Sequence, residues 1–175
     1  MRIVVSDQIH LSEIQASDRA AGVEHFREKE IYERTLRIPY PYTEKDFDEF
    51  MAVVEKRRQE QGNTFGWAIR NREDYLIGGL GFDGLVIGES HRAEIGYWLA
   101  KPYWGKGIMT AVVGAACRFA FEQYGLIKIS AHVFAGNTRS ARVLEKCGFQ
   151  LEGCLRKHHF KDGRYVDARL YALLK

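Results

Sequence analysis

The chain has 175 residues, 46% of them hydrophobic and 28% charged, with a net charge of +3. That length predicts one domain over residues 1–175, and that composition excludes intrinsic disorder. The near-neutral charge, without a block of clustered Lys and Arg, argues against a nucleic-acid partner.

A polar helix is predicted near Ser17–Leu36 and is broken by "RIPYPYT", because Pro39 and Pro41 disfavour helix in the residues before them. Thr43 reads as the N-cap of the next helix, with Glu44 and Asp46 in its first turn. Phe47, Phe50, Met51 and Val54 then fall on one helix face. "EKRRQEQ" at 55–61 mixes signs and reads as a solvated helix end. Strands are expected at "TFGWAIR" (64–70), "DYLIGGLGF" (74–82) and "RAEIGYWLA" (92–100), the first two joined by a turn at "NRED".

The second half alternates. An apolar helix runs from Ile108 to Tyr124 and stops at Gly125, so it is expected to lie buried against a sheet. "LIKISAHVF" (126–134) is a strand with Ile127, Ile129, Ala131 and Val133 on one face. Asn137 caps a short helix over 137–147, which ends at Gly148 with Phe149 as its hydrophobic contact. A terminal hairpin turns at "KDG".

Strand, buried helix and strand in succession imply one parallel pair; the hairpins imply antiparallel strands elsewhere. The expected fold is α/β (α+β): a mixed, mostly antiparallel central sheet of about six to seven strands with flanking helices. Cys117, Cys147 and Cys154 are odd in number and lack CxxC or Cys/His spacing, which argues against disulfides and against a metal site, and for a reducing compartment. "MRIVVSDQIHL" lacks a signal-peptide layout and no apolar run of about 18 residues occurs, so a cytoplasmic protein that does not span a membrane is expected.

Two glycine motifs are candidates for binding phosphate. Gly79–Gly84 fits G-x-G-x-x-G, but "LVIGES" follows where a dinucleotide fingerprint needs a helix, so it reads as a strand-and-turn cluster. "KPYWGKGIMT" (101–110) is better placed: Gly105 and Gly107 directly precede the apolar helix, whose N-terminus offers unpaired N–H groups to an anion. Lys101 and Lys106 add positive charge. The pattern alone fits a plain tight turn equally well. Glu94, in the strand ahead of this loop, is either an edge residue facing water or a functional carboxylate.

"AEIGYWLAKPYWGKGIMTAVV", followed about thirty residues later by "NTRSARVLEKCGF", resembles the Gcn5-related N-acetyltransferase superfamily. More narrowly, with "IPYPYTEKDFDEF", it is similar to the bacterial ribosomal-protein N-terminal acetyltransferases of the Rim type. The resemblance covers residues 35–155 best. It implies acetyl-CoA as donor, with pyrophosphate held by backbone N–H groups among Trp104, Gly105, Lys106, Gly107, Ile108, Met109 and Thr110. Pro102 stands at the family's Gln/Arg position and removes one side-chain contact, for which Lys101 or Lys106 would partly substitute. By the same resemblance, the parallel strands splay at the cofactor site, the pantetheine arm pairs near Trp98 and Leu99, and Asn137 contacts that arm.

The resemblance also assigns chemistry. Glu94 matches a general base, acting directly or through water. A backbone N–H near Leu99 would stabilise the oxyanion, and Ser140 would protonate the departing CoA thiolate. His158, His159 and Tyr165 on the terminal hairpin would line the acceptor site or serve a surface or dimer role. An acetyl-cysteine route is disfavoured: Cys147 lies on an apolar helix face, and Cys154 has no His base beside it. The expected acceptor is an amine, with the N-terminal α-amine of a ribosomal or other protein favoured over a polyamine, an amino acid or an aminoglycoside. A non-catalytic acyl-CoA-binding module is the reading from another class. Homo-oligomers through sheet edges are a further implication of the family.

Overall fold

The structure is a computed structural model that describes residues 2–62 and 66–175. In chain order it contains β1 (Arg2–Ser6), β2 (Ile9–Ser12), a 3₁₀ turn (Ala16–Asp18), α1 (Arg19–Phe26), α2 (Lys29–Arg34), α3 (Glu44–Gln61), β3 (Gly66–Arg70) and β4 (Leu76–Asp83). It continues with β5 (Arg92–Leu99), a second 3₁₀ turn (Lys101–Tyr103), α4 (Ile108–Gln123), β6 (Lys128–Phe134), α5 (Thr138–Lys146), β7 (Gln150–Lys161) and β8 (Arg164–Leu174). Among the described residues, eight strands form one sheet in the order β1-β2-β3-β4-β5-β6-β8-β7. β5 and β6 pair in parallel, within a mostly antiparallel sheet, as the α/β pattern predicts. The count exceeds six to seven because β1 and β2 form a hairpin that the sequence pattern does not reveal. The first two residues of the strand expected at 64–70 lie outside the described residues.

The chain divides into two compact units, Met1–Gly81 with Tyr97–Ile108, and Phe82–Gly96 with Met109–Lys175. In the first, the helix expected over Ser17–Leu36 is broken. The backbone of Glu28 turns extended (φ −71°, ψ 109°) between α1 and α2; "REKE" offers no apolar residue to carry a helical stripe across the gap. α3 starts as predicted: Thr43 and Asp46 form a capping box, each side chain taking the other's backbone N–H. Phe47 of α3 is buried with Val23, Phe26, Ile31 and Tyr42, and Trp98 and Trp104 pack against this cluster. Gly22 admits the contact, since a Cβ there would meet the Phe47 ring at 3.0 Å. Phe50, expected on the same face as Phe47, is instead 47% exposed: the apolar arc is wider than the surface that covers it.

A buried clamp fixes the start of this unit. Both Arg70 terminal nitrogens donate to Asp18, at 2.7 and 2.8 Å. The remaining N–H groups of Arg70 donate to Ser12 Oγ, Asp74 O and Glu13 O. All five guanidinium donors are thus used, which is what allows an ion pair with only 4% and 6% of its side chains exposed.

In the second unit, Met109, Val112, Val113, Ala116, Cys117 and Ala120 of α4 are buried, as are Ile129, Ala131 and Val133 of β6. Ile127, expected on that strand face, precedes β6 and is 56% exposed. Gly125 and Gly148 end α4 and α5 at φ 67° and 87°, the left-handed conformation their cap positions require. No helix among the described residues is long and apolar enough to cross a membrane.

Asp18→Ala leaves the Arg70 charge buried without its counter-ion and is expected to cost about 3–5 kcal/mol. The double change Arg70→Met with Asp18→Leu should recover most of it. Urea midpoints at unchanged slope check both.

Candidate active site

The site is built on β5, whose two edges have different partners. On one, Ala100 N–H donates to Ile77 C=O of β4 at 2.8 Å. Backbone groups of alternate residues face opposite sides of a strand, so Trp98 addresses β4, and Tyr97 and Leu99 address the other edge. On that edge the β6 ladder covers Arg92–Glu94 against Lys128–Ser130 among the described residues, although β5 runs on to Leu99. Leu99 C=O accepts the indole N–H of Trp104 at 2.6 Å. The Trp98 side chain packs on Phe26, ring centroids 4.3 Å apart.

The loop then leads into α4. Gly105 and Gly107 both have φ 75°, and a Cβ at either would meet nothing within 4 Å. Conformation, not packing, therefore demands glycine there, and the space above both backbones is open. The first N–H groups of α4, from Ile108 on, have no intrahelical acceptor by helix geometry. The side chain of Met109 is buried, so only its backbone can meet a ligand; Thr110 is half-buried. Lys101 is drawn to carboxylates, with Nζ at 3.2 Å from Glu28 and 3.6 Å from Glu30. Lys106 sits over the Tyr103 ring at 5.6 Å.

Glu94 does not stand alone. Its Oε2 lies 3.0 Å from His132 Nδ1, with 42% of the Glu94 side chain and 20% of the His132 side chain exposed. Glu94 pairs in register with Ser130, so its side chain reaches His132 one step further along the same face of β6. The His158 ring stacks on His132 at 4.9 Å and 19°. His159 meets His158 edge-on at 4.6 Å and His132 at 6.1 Å. Burial, then His158 and His132, push the His159 imidazolium below its ordinary range, against an opposing pull from Glu94.

Consecutive strand residues normally point to opposite faces, so two adjacent histidines in one cluster need an irregularity. β7 supplies it: between Leu155↔Ala168 and His159↔Val166 it advances four residues while β8 advances two. Within this bulge Lys157 adopts φ 53°, and its N–H donates to Asp167 Oδ1 at 2.7 Å. Bulges re-aim side chains in this way. Tyr165 does not join the histidines. It is 66% exposed and its ring packs on Phe160 at 5.2 Å.

Asn137 caps α5, its Oδ1 accepting Ser140 N–H at 3.3 Å. Ser140 is half-buried on the first turn. The cysteines are free. Cys147 donates its S–H to Thr110 C=O and burial raises its thiol; burial pushes Cys117 up to about 12. Neither is suited to act as a thiolate. The Gly79–Gly84 motif lies in β4 and the turn after it, with no helix following. A Cβ at Gly79 would strike the Trp98 indole at 2.5 Å, so that glycine serves packing. Among the described residues, no group of three or more His, Cys, Asp or Glu side chains is arranged to hold a metal. Sequence reasoning missed His132. Its signal was parity alone: Ser130, His132 and Phe134 form the half-buried face of β6.

The family described as acetyltransferase (GNAT) domain matches residues 8–150. The chain is 30% identical over 115 residues to the [ribosomal protein uS5]-alanine N-acetyltransferase of Escherichia coli, covering 65% of this chain and 59% of that protein. It is 30% identical over 135 residues to the spermidine N(1)-acetyltransferase of Vibrio cholerae, covering 76% and 75%. A solved structure of RimL, a ribosomal L7/L12 alpha-N-protein acetyltransferase in complex with coenzyme A, aligns with TM-score 0.86 at 21% identity, covering 99% of this chain and 98% of that one.

Gly105→Ala is expected to destabilise by about 1–2 kcal/mol through its left-handed φ alone, and Gly105→Asn by less; denaturant titration orders the three. For His159 the folded state favours the neutral ring. The unfolded chain therefore binds more protons once the pH falls below the ordinary value of 6.5. Its contribution is full above that pH and is lost as pH falls toward the depressed folded value. His159→Gln should flatten thermal stability against pH across this window.

Proposed function

Because the chain belongs to the GNAT acetyltransferase family and is an acetyl-transferring enzyme, we propose that it moves the acetyl group of acetyl-CoA to the N-terminal α-amine of a protein, a ribosomal protein in the first instance. Residues 1–175 act as one catalytic domain in the cytoplasm. The observation that carries the acceptor choice is the Glu94–His132–His158–His159 cluster.

The donor comes first. Backbone N–H groups over Trp104, Gly105, Lys106, Gly107, Ile108, Met109 and Thr110 hold the pyrophosphate. The open space above Gly105 and Gly107 and the positive end of the α4 dipole support this. Pro102 has no side-chain donor to offer a phosphate. Of the two nearby lysines Lys106 is the better placed to supply one, since Lys101 is engaged by Glu28 and Glu30. The pantetheine arm runs along the edge of β5 that Tyr97 and Leu99 address, with Asn137 as a further contact and the Trp98 side chain forming the wall behind.

The chemistry follows. An α-ammonium must lose a proton before its nitrogen attacks the thioester carbonyl. Glu94 is the charged group on which that loss depends. Leu99 N–H stabilises the oxygen as it becomes negative. The C–S bond breaks, and the CoA sulfur takes a proton through the Ser140 hydroxyl, which is replenished from solvent.

A polyamine carries several ammonium groups of high pKa and calls for several carboxylates. This cluster offers one, Glu94, beside three imidazoles, which bring no negative charge for further ammonium groups to pair with. A single α-ammonium, ionising near 7.7–8.0, suits it better. The spermidine-acetylating relative favours a second reading, a polyamine acceptor. The non-catalytic module is disfavoured by Glu94 being held against a titratable partner.

Glu94→Gln should retain acetyl-CoA affinity and lose about 10²–10⁴-fold in kcat. A panel of peptide N-termini, spermidine and an aminoglycoside, assayed by CoA release, tests the acceptor. Higher kcat/KM for spermidine than for any peptide would replace the α-amine with the polyamine.

A further inference from the structure

We infer that His132, through Nε2, is the base that takes the amine proton, with Glu94 as the carboxylate behind it. This rests on the reading of acetyl transfer to an amine given above and changes where the proton goes.

The hydrogen bond fixes the tautomer. An ionised carboxylate only accepts, so the Glu94 oxygen 3.0 Å from Nδ1 assigns the ring proton to that nitrogen. The lone pair is then on Nε2. A carboxylate so held orients the ring and stabilises the imidazolium that forms when Nε2 is protonated. The ring keeps a fifth of its side-chain surface exposed, so a small amine or a water can reach it.

Matching of basicity favours the imidazole over the carboxylate. A free α-ammonium ionises near 7.7–8.0, a free imidazolium near 6.5 and a free glutamic acid near 4.3. Moving the proton to a carboxylate is uphill by roughly 3.5 units, and to an imidazole by roughly 1.3. The difference of about 2 units favours imidazole by about a hundredfold in the protonated base formed.

The surroundings set His132, of the three rings, against the carboxylate. From β5 it is faced by Glu94, and from β7 by His158 and His159. On β6 its same-face neighbours are Ser130 and Phe134, and across on β8 its register partner is Leu170, none of which ionises. Two stacked imidazolium rings repel, and of the three rings only His132 is within contact distance of the carboxylate. The β7 bulge, with Lys157 at positive φ, holds the two other rings there. Backbone strain of this kind, costing about 1–3 kcal/mol, collects at functional sites.

The step balances. The ammonium N–H bond breaks and its proton goes to His132 Nε2. The freed nitrogen pair forms the C–N bond at the thioester carbonyl, the C–S bond breaks, and the CoA thiolate is protonated. The imidazolium returns its proton to solvent.

The test uses His132→Ala, His132→Gln, Glu94→Gln and the double variant His132→Ala/Glu94→Gln. Melting curves and acetyl-CoA affinity monitor the fold. Expected are a loss of about 10²–10⁴-fold in kcat for each single variant and no further loss in the double, because the pair acts as a unit. Free imidazole in the buffer should restore His132→Ala saturably and leave Glu94→Gln unchanged. The acid limb of kcat should be altered in both His132 variants. If both keep wild-type kcat and pH profile while Glu94→Gln is inactive, Glu94 is itself the base and this inference is overturned. It is equally overturned if losses at the two positions multiply, or if imidazole restores nothing. Wild-type turnover in all the variants would instead remove the deprotonation step from this cluster and overturn the reading of the site on which the inference rests.

Discussion

A strand inside a sheet must satisfy backbone groups on both edges, and β5 does so in two ways. Toward β4 its pairing continues to Ala100. On the other edge the ladder with β6 covers three residue pairs among the described residues. Beyond them the Leu99 carbonyl is satisfied by a side chain, the Trp104 indole. That bond ties the end of β5 to the loop that starts α4. Trp104 is held in turn by the Phe26–Phe47 cluster and by Arg34, whose guanidinium lies 5.6 Å over its ring. Gly105 and Gly107 lie directly after this anchored residue, in the same unit. Truncating the Trp104 side chain would therefore release the Leu99 carbonyl and disturb the loop that follows β5.

The clamp at Arg70 fixes a different part of the same unit. It joins β2, through Ser12, to β3, to the 3₁₀ turn, through Asp18, and to the turn at Asp74. His10 adds a second contact to Asp74 at 2.8 Å. A buried ion pair is a poor source of net stability but a strict condition on geometry. It specifies the β2–β3 register, where the four-residue β2 is too short to do so by apolar area.

Much of this fold could be read in the chain because helix caps and periodicity are local. Thr43, Asn137, Gly125 and Gly148 all do what their residue types predict. β1 and β2 escaped because five- and four-residue strands around "SDQ" give too few alternations to stand out. Phe50 was misplaced because periodicity identifies a shared face but not how much of it a neighbour covers. In the site, Gly105 and Gly107 were legible since their backbone demands glycine. Lys101 was not, because its partners Glu28 and Glu30 are far away in sequence. His132 lay hidden for the same reason: its meaning comes from a strand 38 residues earlier, carrying Glu94, and from a bulge on β7.

That bulge links the fold to the chemistry. A regular β7 would send His158 and His159 to opposite faces, and one of them would leave Glu94 and His132. Two extra residues and a strained Lys157 bring both rings to one side. The result is a site with one carboxylate and three imidazoles. Such a site offers a polycation a single carboxylate to pair with. A carboxylate-rich site would pair with several ammonium groups at once. The irregularity in one edge strand thus sets the composition of this cluster, while the Trp104–Leu99 bond holds the loop that follows β5.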